Sequence, residues 1–150
     1  MSGRTATFLD ILKSPRMPPI DCPCGQRDSH QRALACTACC ARFLDDFATT
    51  PAPDAPSLMR SRYSAFVLER RDYLLATWHP STRPAMLDFE PGVKWLGLEV
   101  RCHSRTDSDH AEVEFVARQR DATGRAHRLH ERSRFVREQG RWFYLDGLMK

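Results

Sequence analysis

From residue 93 onward, apolar and polar side chains alternate. Val93, Trp95, Leu98, Val100 and Cys102 form a first series, with a slip near Gly97 that predicts a β-bulge. Thr106-Asp-Ser-Asp predicts a turn, and Ala111, Val113, Phe115 and Ala117 a second strand. Asp121-Ala-Thr-Gly124 then reverses the chain into a third strand from about Arg125 to Arg137. Glu138-Gln-Gly140 leads to a fourth at Trp142–Asp146. Four strands joined by short polar turns predict an antiparallel meander with one face to bury.

Upstream of residue 93 the apolar spacing is helical. Leu58, Met59, Tyr63, Phe66 and Val67 recur three and four apart. Asp54 and Ser57 offer N-caps, and Pro56 fits the first turn. Arg60, Arg62, Arg70 and Arg71 fall mostly elsewhere on the wheel. After a break near Arg71-Asp72, Tyr73–His79 predicts a short helix stopped by Pro80, and Ser81–Gly92 a loop. Earlier still, Asp28 or Ser29 caps an expected helix from about His30 to Phe47. A weak amphipathic segment, Thr5–Lys13, precedes it, ended by Pro15, Pro18 and Pro19. The proline-rich Thr49–Pro56 is a connector, dividing residues 1–50, an arm with a cysteine segment, from residues 51–150. Helices followed by a sheet predict an α+β fold.

Charge adds little to this picture. The net charge is +4, and arginine far outnumbers the three lysines, Lys13, Lys94 and Lys150. Arginine suits phosphate and carboxylate recognition, although a solvated surface is the ordinary use. No run of like charges forms a nucleic-acid tail. No apolar stretch at the N-terminus suits a signal peptide or a membrane span, so a cytosolic chain without a membrane partner is expected.

Cysteine in that setting points to metal ligation rather than disulfides. Five of the six cysteines, Cys22, Cys24, Cys36, Cys39 and Cys40, lie in one short stretch, and Cys102 stands apart. Cys22-Pro-Cys24 puts two thiols on one side of the chain, and Gly25 permits the positive φ that folds it back. Zn²⁺ takes four soft ligands in a tetrahedron. If the downstream cysteines are helical, Cys36 and Cys39 are the pair that share a face. Arg27, Arg32 and Arg42 are near enough in sequence to offset thiolate charge.

Cys22-Pro-Cys24-Gly with Cys39-Cys40 resembles the SEC-C zinc motif at the C-terminus of the SecA translocation ATPase. Its fourteen-residue spacer between Cys24 and Cys39 is longer than is usual for that motif. Leu58-Met-Arg-Ser-Arg-Tyr-Ser-Ala-Phe-Val-Leu and Asp72-Tyr-Leu-Leu-Ala-Thr-Trp-His-Pro-Ser-Thr-Arg-Pro84 are similar to the bacterial YchJ family. So are Val113–Arg118, Leu129–Glu138 and Gly140–Gly147. The resemblance implies a nuclear-transport-factor-2-like (NTF2-like) cone, helices on a curved four-stranded meander, behind a small zinc-binding segment. It also implies one structural Zn²⁺ on Cys22, Cys24, Cys39 and Cys40, with Cys36 as the alternate ligand. A four-thiolate site has no open position for chemistry.

Two functional readings follow. The first is a non-catalytic adaptor whose SEC-C-like motif contacts a protein or ribosomal partner, by analogy with SecA. The second is a small-molecule binder or acid–base enzyme using the cone. If Phe135 faces the helices, Glu131 and Ser133 share its face, and Trp142, Tyr144 and Asp146 fall together on the last strand. Glu131, Tyr144 and His79 are the candidate acid–base and orienting groups. On the outer face, Arg118, Arg120, Arg132 and Arg134 offer a nucleic-acid contact, but Glu112, Glu114 and Glu138 favour cross-strand ion pairs instead.

Overall fold

The computed structural model describes residues 20–150. The Thr5–Lys13 segment lies outside the described residues. The elements are a 3-10 turn at Cys36–Ala38, then three helices and four strands: α1 (Ala41–Leu44), α2 (Ala55–Val67), α3 (Arg71–Ala76), β1 (Lys94–Asp107), β2 (His110–Arg120), β3 (Ala126–Glu138) and β4 (Arg141–Met149). The strands form one sheet in the order β1-β2-β3-β4, each pair antiparallel. This is the expected α+β meander.

Local chemistry explains the main boundaries. Asp54 is the N-cap of α2: its carboxylate accepts from the Ser57 amide at 2.7 Å, and Pro56 sits in the first turn. At the far end, Glu69 adopts φ +55. The Glu69 amide donates to the Phe66 carbonyl and the Arg70 amide to the Ala65 carbonyl, a Schellman closure that stops the helix.

The expected helix at His30–Phe47 does not form. Asp28 does cap backbone amides, those of His30 and Arg32, but it closes a loop rather than opening a helix. That loop is held by bridges pairing Asp21 with Ala35 and Arg27 with Ala33. Helical geometry is confined to the 3-10 turn and the four residues of α1.

α2 lies across one face of the sheet and packs on β1, β2 and β4. On β2, Ala111, Val113, Phe115 and Ala117 are all buried, as their alternation predicts. Register shifts break the alternation on β1, one at Trp95/Gly97, where the bulge was expected, and another at Val100/Cys102. Beyond the second shift the strand is exposed, and Cys102 with it, against the sequence expectation. A further shift lies between β3 and β4. Arg134 pairs with Asp146 and Phe135 with Tyr144, leaving Leu145 as the extra residue.

Removing the α2 cap is expected to cost about 1 kcal/mol. Asp54→Ala should therefore lower the denaturant midpoint without changing the m-value, as read by urea unfolding.

Candidate metal centre and ligand cavity

The sulfurs of Cys22, Cys24, Cys39 and Cys40 all lie within 4.8 Å of one another. The Cys24 and Cys39 sulfurs are 3.6 Å apart, close to the roughly 3.8 Å that thiolates on a tetrahedral zinc ion would have. Two turns build the cluster. Gly25, at φ +75, folds the chain so that its amide donates to the Cys22 carbonyl, turning both upstream thiols inward. Downstream, Cys39 follows the 3-10 turn and Cys40 is the N-cap of α1. Adjacent cysteines diverge inside a regular helix, but at this kink both sulfurs reach the group. Cys36 is fully buried and lies outside the quartet.

The thiols are inside the protein; Cys22, the most exposed of the four, is 6% accessible. The Ser64 hydroxyl of α2 lies 3.7 Å from the Cys22 sulfur, and Arg60 of α2 donates to the Cys24 carbonyl at 3.1 Å. Of the arginines expected to offset thiolate charge, Arg42 donates to the Cys39 carbonyl, while Arg27 and Arg32 bond to Gln31 and Asp28 instead. Hydrogen bonds from Cys24 first, then Cys39 and Cys40, hold the Cys22 thiol far below its ordinary pKa. Cys24 settles at about 7, pushed up by Cys22 and pulled down by Cys39 and Cys40. Cys39 and Cys40 are pushed up, chiefly by Cys22 and then by Cys24. Four thiols this close ionise together around a cation, and the donor set fits a soft divalent metal. Cys36, raised to about 12 by burial and then by the charge at Cys22, stays a neutral thiol.

A second candidate site lies between α2 and the sheet. A cavity of about 320 Å³ is lined by apolar side chains, Phe66, Trp95 and Phe115 among them, and by the polar groups Arg62, Glu131, Ser133 and Tyr144. Glu131 Oε1 accepts from the Ser133 hydroxyl and from the Tyr144 hydroxyl, each at 2.9 Å. Burial, and then the charge of Glu131, push the Tyr144 phenol above its ordinary range, so it remains a donor. Gly147 of β4 backs this carboxylate. A Cβ there would stand 1.7 Å from Glu131 Oε1.

Of the sequence candidates, the structure brings Glu131, Ser133 and Tyr144 together and places His79 and Asp146 elsewhere. The Leu145 bulge turns Asp146 to the outer face, where it pairs with both ends of the Arg134 guanidinium. The segment after α3 runs along β4, with Trp78 and Tyr144 bridged, so consecutive side chains alternate. Trp78 meets Tyr144 at the cavity, with ring centroids 5.1 Å apart. His79 turns the other way, its ring 6.0 Å from Phe143, with Nε2 2.8 Å from Glu138.

Sequence spacing also missed Arg62. It is 5% accessible and bonds through Nη1 to the Leu74 carbonyl and the Thr77 hydroxyl. Its guanidinium lies over the Trp78 and Tyr144 rings, 5.0 and 4.6 Å from their centroids. Burial lowers its pKa to about 10, which leaves it charged at neutral pH. On the outer face, Arg132 faces Glu112, and Glu114 meets both His130 and Lys150. No helix among the described residues is long and apolar enough to cross a membrane.

Residues 54–147 match the profile of the middle, NTF2-like domain of YchJ. The chain belongs to the YchJ family. A UPF0225 protein of Polaromonas sp. is 66% identical over 131 residues, covering 87% of this chain and 94% of its own. A UPF0225 protein of Bordetella parapertussis is 53% identical over 137 residues, covering 91% of this chain and 98% of its own. Among solved structures, a SEC-C motif containing protein from Rhodopseudomonas palustris superimposes with TM-score 0.72 at 31% identity, over 86% of this chain and 98% of that one. Another, from Psychrobacter arcticus, gives TM-score 0.71 at 30% identity, over 87% of this chain and 82% of that one. The YchJ-family domain thus carries the cavity, and the SEC-C-type cysteines pack against its first helix.

The geometry sets Cys36 apart from the four clustered sulfurs. Cys40→Ser is expected to abolish metal retention through size-exclusion chromatography, whereas Cys36→Ser should retain the wild-type metal content. Equal loss in both variants would assign the fourth ligand wrongly.

Proposed function

We propose that this chain is a small-molecule-binding protein in which one structural Zn²⁺, held by Cys22, Cys24, Cys39 and Cys40, fastens the N-terminal segment to an NTF2-like cone. The observation that carries the reading is the cavity between α2 and the sheet. At about 320 Å³ it is at the small end of the range for ligand pockets. Its walls are mainly apolar, and the polar groups converge at Arg62 and the Glu131–Ser133–Tyr144 cluster. Phe66, Trp95 and Leu129 on its wall are half-buried, which leaves the space reachable from solvent.

Zinc is favoured for the metal because four thiolates at this spacing suit its size and softness. Four protein ligands close the coordination sphere, which supports a role in folding rather than chemistry. The adaptor reading, with a protein or ribosomal partner, rests on the motif alone. All four cysteines are buried, with the Cys22 sulfur beside Ser64, so the cluster offers a partner little of its sulfur surface.

Both halves of the proposal are measurable. Protein purified without added metal should contain about one zinc per chain by elemental analysis. A fragment set screened by ligand-observed NMR should yield binders that Ala117→Phe displaces, since Ala117 lines the cavity and the larger ring fills it. Zinc content and circular dichroism should be unchanged in that variant. Absence of any binder sensitive to Ala117→Phe would overturn the ligand-binding reading.

A further inference from the structure

Two charged side chains line the cavity, Arg62 and Glu131, and they have opposite sign. They do not form an ion pair with each other. Arg62 instead gives its Nη1 hydrogens to Leu74 and Thr77 and stacks its guanidinium on Trp78 and Tyr144. Tyr144 stands between the two, its ring under Arg62 and its hydroxyl on Glu131. The cavity is therefore electrically balanced without a ligand, but through an aromatic spacer rather than by contact.

The hydrogen-bonding capacity is not balanced, and on Arg62 the Nε and Nη2 hydrogens have no acceptor among the described residues. Glu131 Oε1 already accepts two hydroxyl donors, and Oε2 has no partner among the described residues. The Trp78 indole N–H, on the same cavity wall, has no acceptor among the described residues. Gly147 keeps the space behind the carboxylate free of any side chain that would displace it.

We infer that the ligand of this cavity is an uncharged, mainly apolar molecule, aromatic or alicyclic, carrying a hydroxyl or an N–H that donates to Glu131 Oε2. This inference rests on the ligand-binding reading above and narrows it to a chemical class. An anionic head would approach Glu131 at the cost of repulsion in a space of low polarity. A cationic head would meet the same obstacle at Arg62. Either one would leave an uncompensated charge once water is excluded. A neutral donor meets an open acceptor and leaves the existing balance untouched.

Four probes of one shape test this by isothermal titration of the full-length protein: 3-phenylpropan-1-ol, its methyl ether, 3-phenylpropylamine and 3-phenylpropionate. The alcohol should bind at least tenfold tighter than each of the other three. Glu131→Gln retains an amide oxygen for Ser133 and Tyr144 but leaves Arg62 as the sole charge, so 3-phenylpropionate should become the preferred probe. Wild-type protein that binds the amine, the acid or the ether as tightly as the alcohol overturns the inference. If none of the four binds while other fragments remain sensitive to Ala117→Phe, the inference falls and the ligand-binding reading stands. If no fragment is sensitive to Ala117→Phe, both fall.

Discussion

Between Ser61 and Ala65, helix α2 presents no side to solvent, so each of its polar side chains needs a partner inside the protein. Those partners are the surrounding elements. Ser61 bonds to the Tyr73 hydroxyl of α3 at 2.6 Å, Arg62 to Leu74 and Thr77 at the end of α3, and Ser64 approaches Cys22 of the thiol cluster. The sheet covers the remaining side through Met59, Tyr63 and Phe66. An isolated amphipathic helix would offer only one such face.

This arrangement couples the two candidate sites through a single rigid element. Ser64 and Arg60 touch the cysteine segment, while Met59, Arg62, Tyr63 and Phe66 border the cavity. Both sets lie on the same two turns of α2, so the thickness of the helix separates the thiols from the cavity. The cysteine segment touches α2 on the side away from the cavity, and α2 forms one wall of that cavity. None of the four clustered cysteines lines the cavity.

Much of this was readable in the chain. The strand alternation of Ala111, Val113, Phe115 and Ala117, the Asp54 cap, the fold-back at Gly25 and the bulge near Gly97 each have a local cause. The resemblance also named the four cysteines that cluster, where helical spacing would have chosen Cys36. What could not be read depends on distant partners. A period-of-two argument places Asp146 beside Tyr144, but one extra residue at Leu145 reverses the parity. The wheel sets Arg62 mostly apart from the apolar positions, and its partners, Leu74 and Thr77, arrive only when α3 docks. The spacing predicts a helix through His79, whereas α3 ends at Ala76 and Trp78 then bridges to Tyr144, so that Trp78 and His79 point opposite ways. Asp28 signalled a cap correctly, and only the element it caps was different.

Gly147 is tied to the cavity through Glu131. Because a Cβ at that position and the Glu131 carboxylate would occupy the same place, the two residues cannot vary independently. A side chain at residue 147 would require the Glu131 carboxylate to move. A change at residue 147 thus reaches the cavity through the position of the carboxylate at 131.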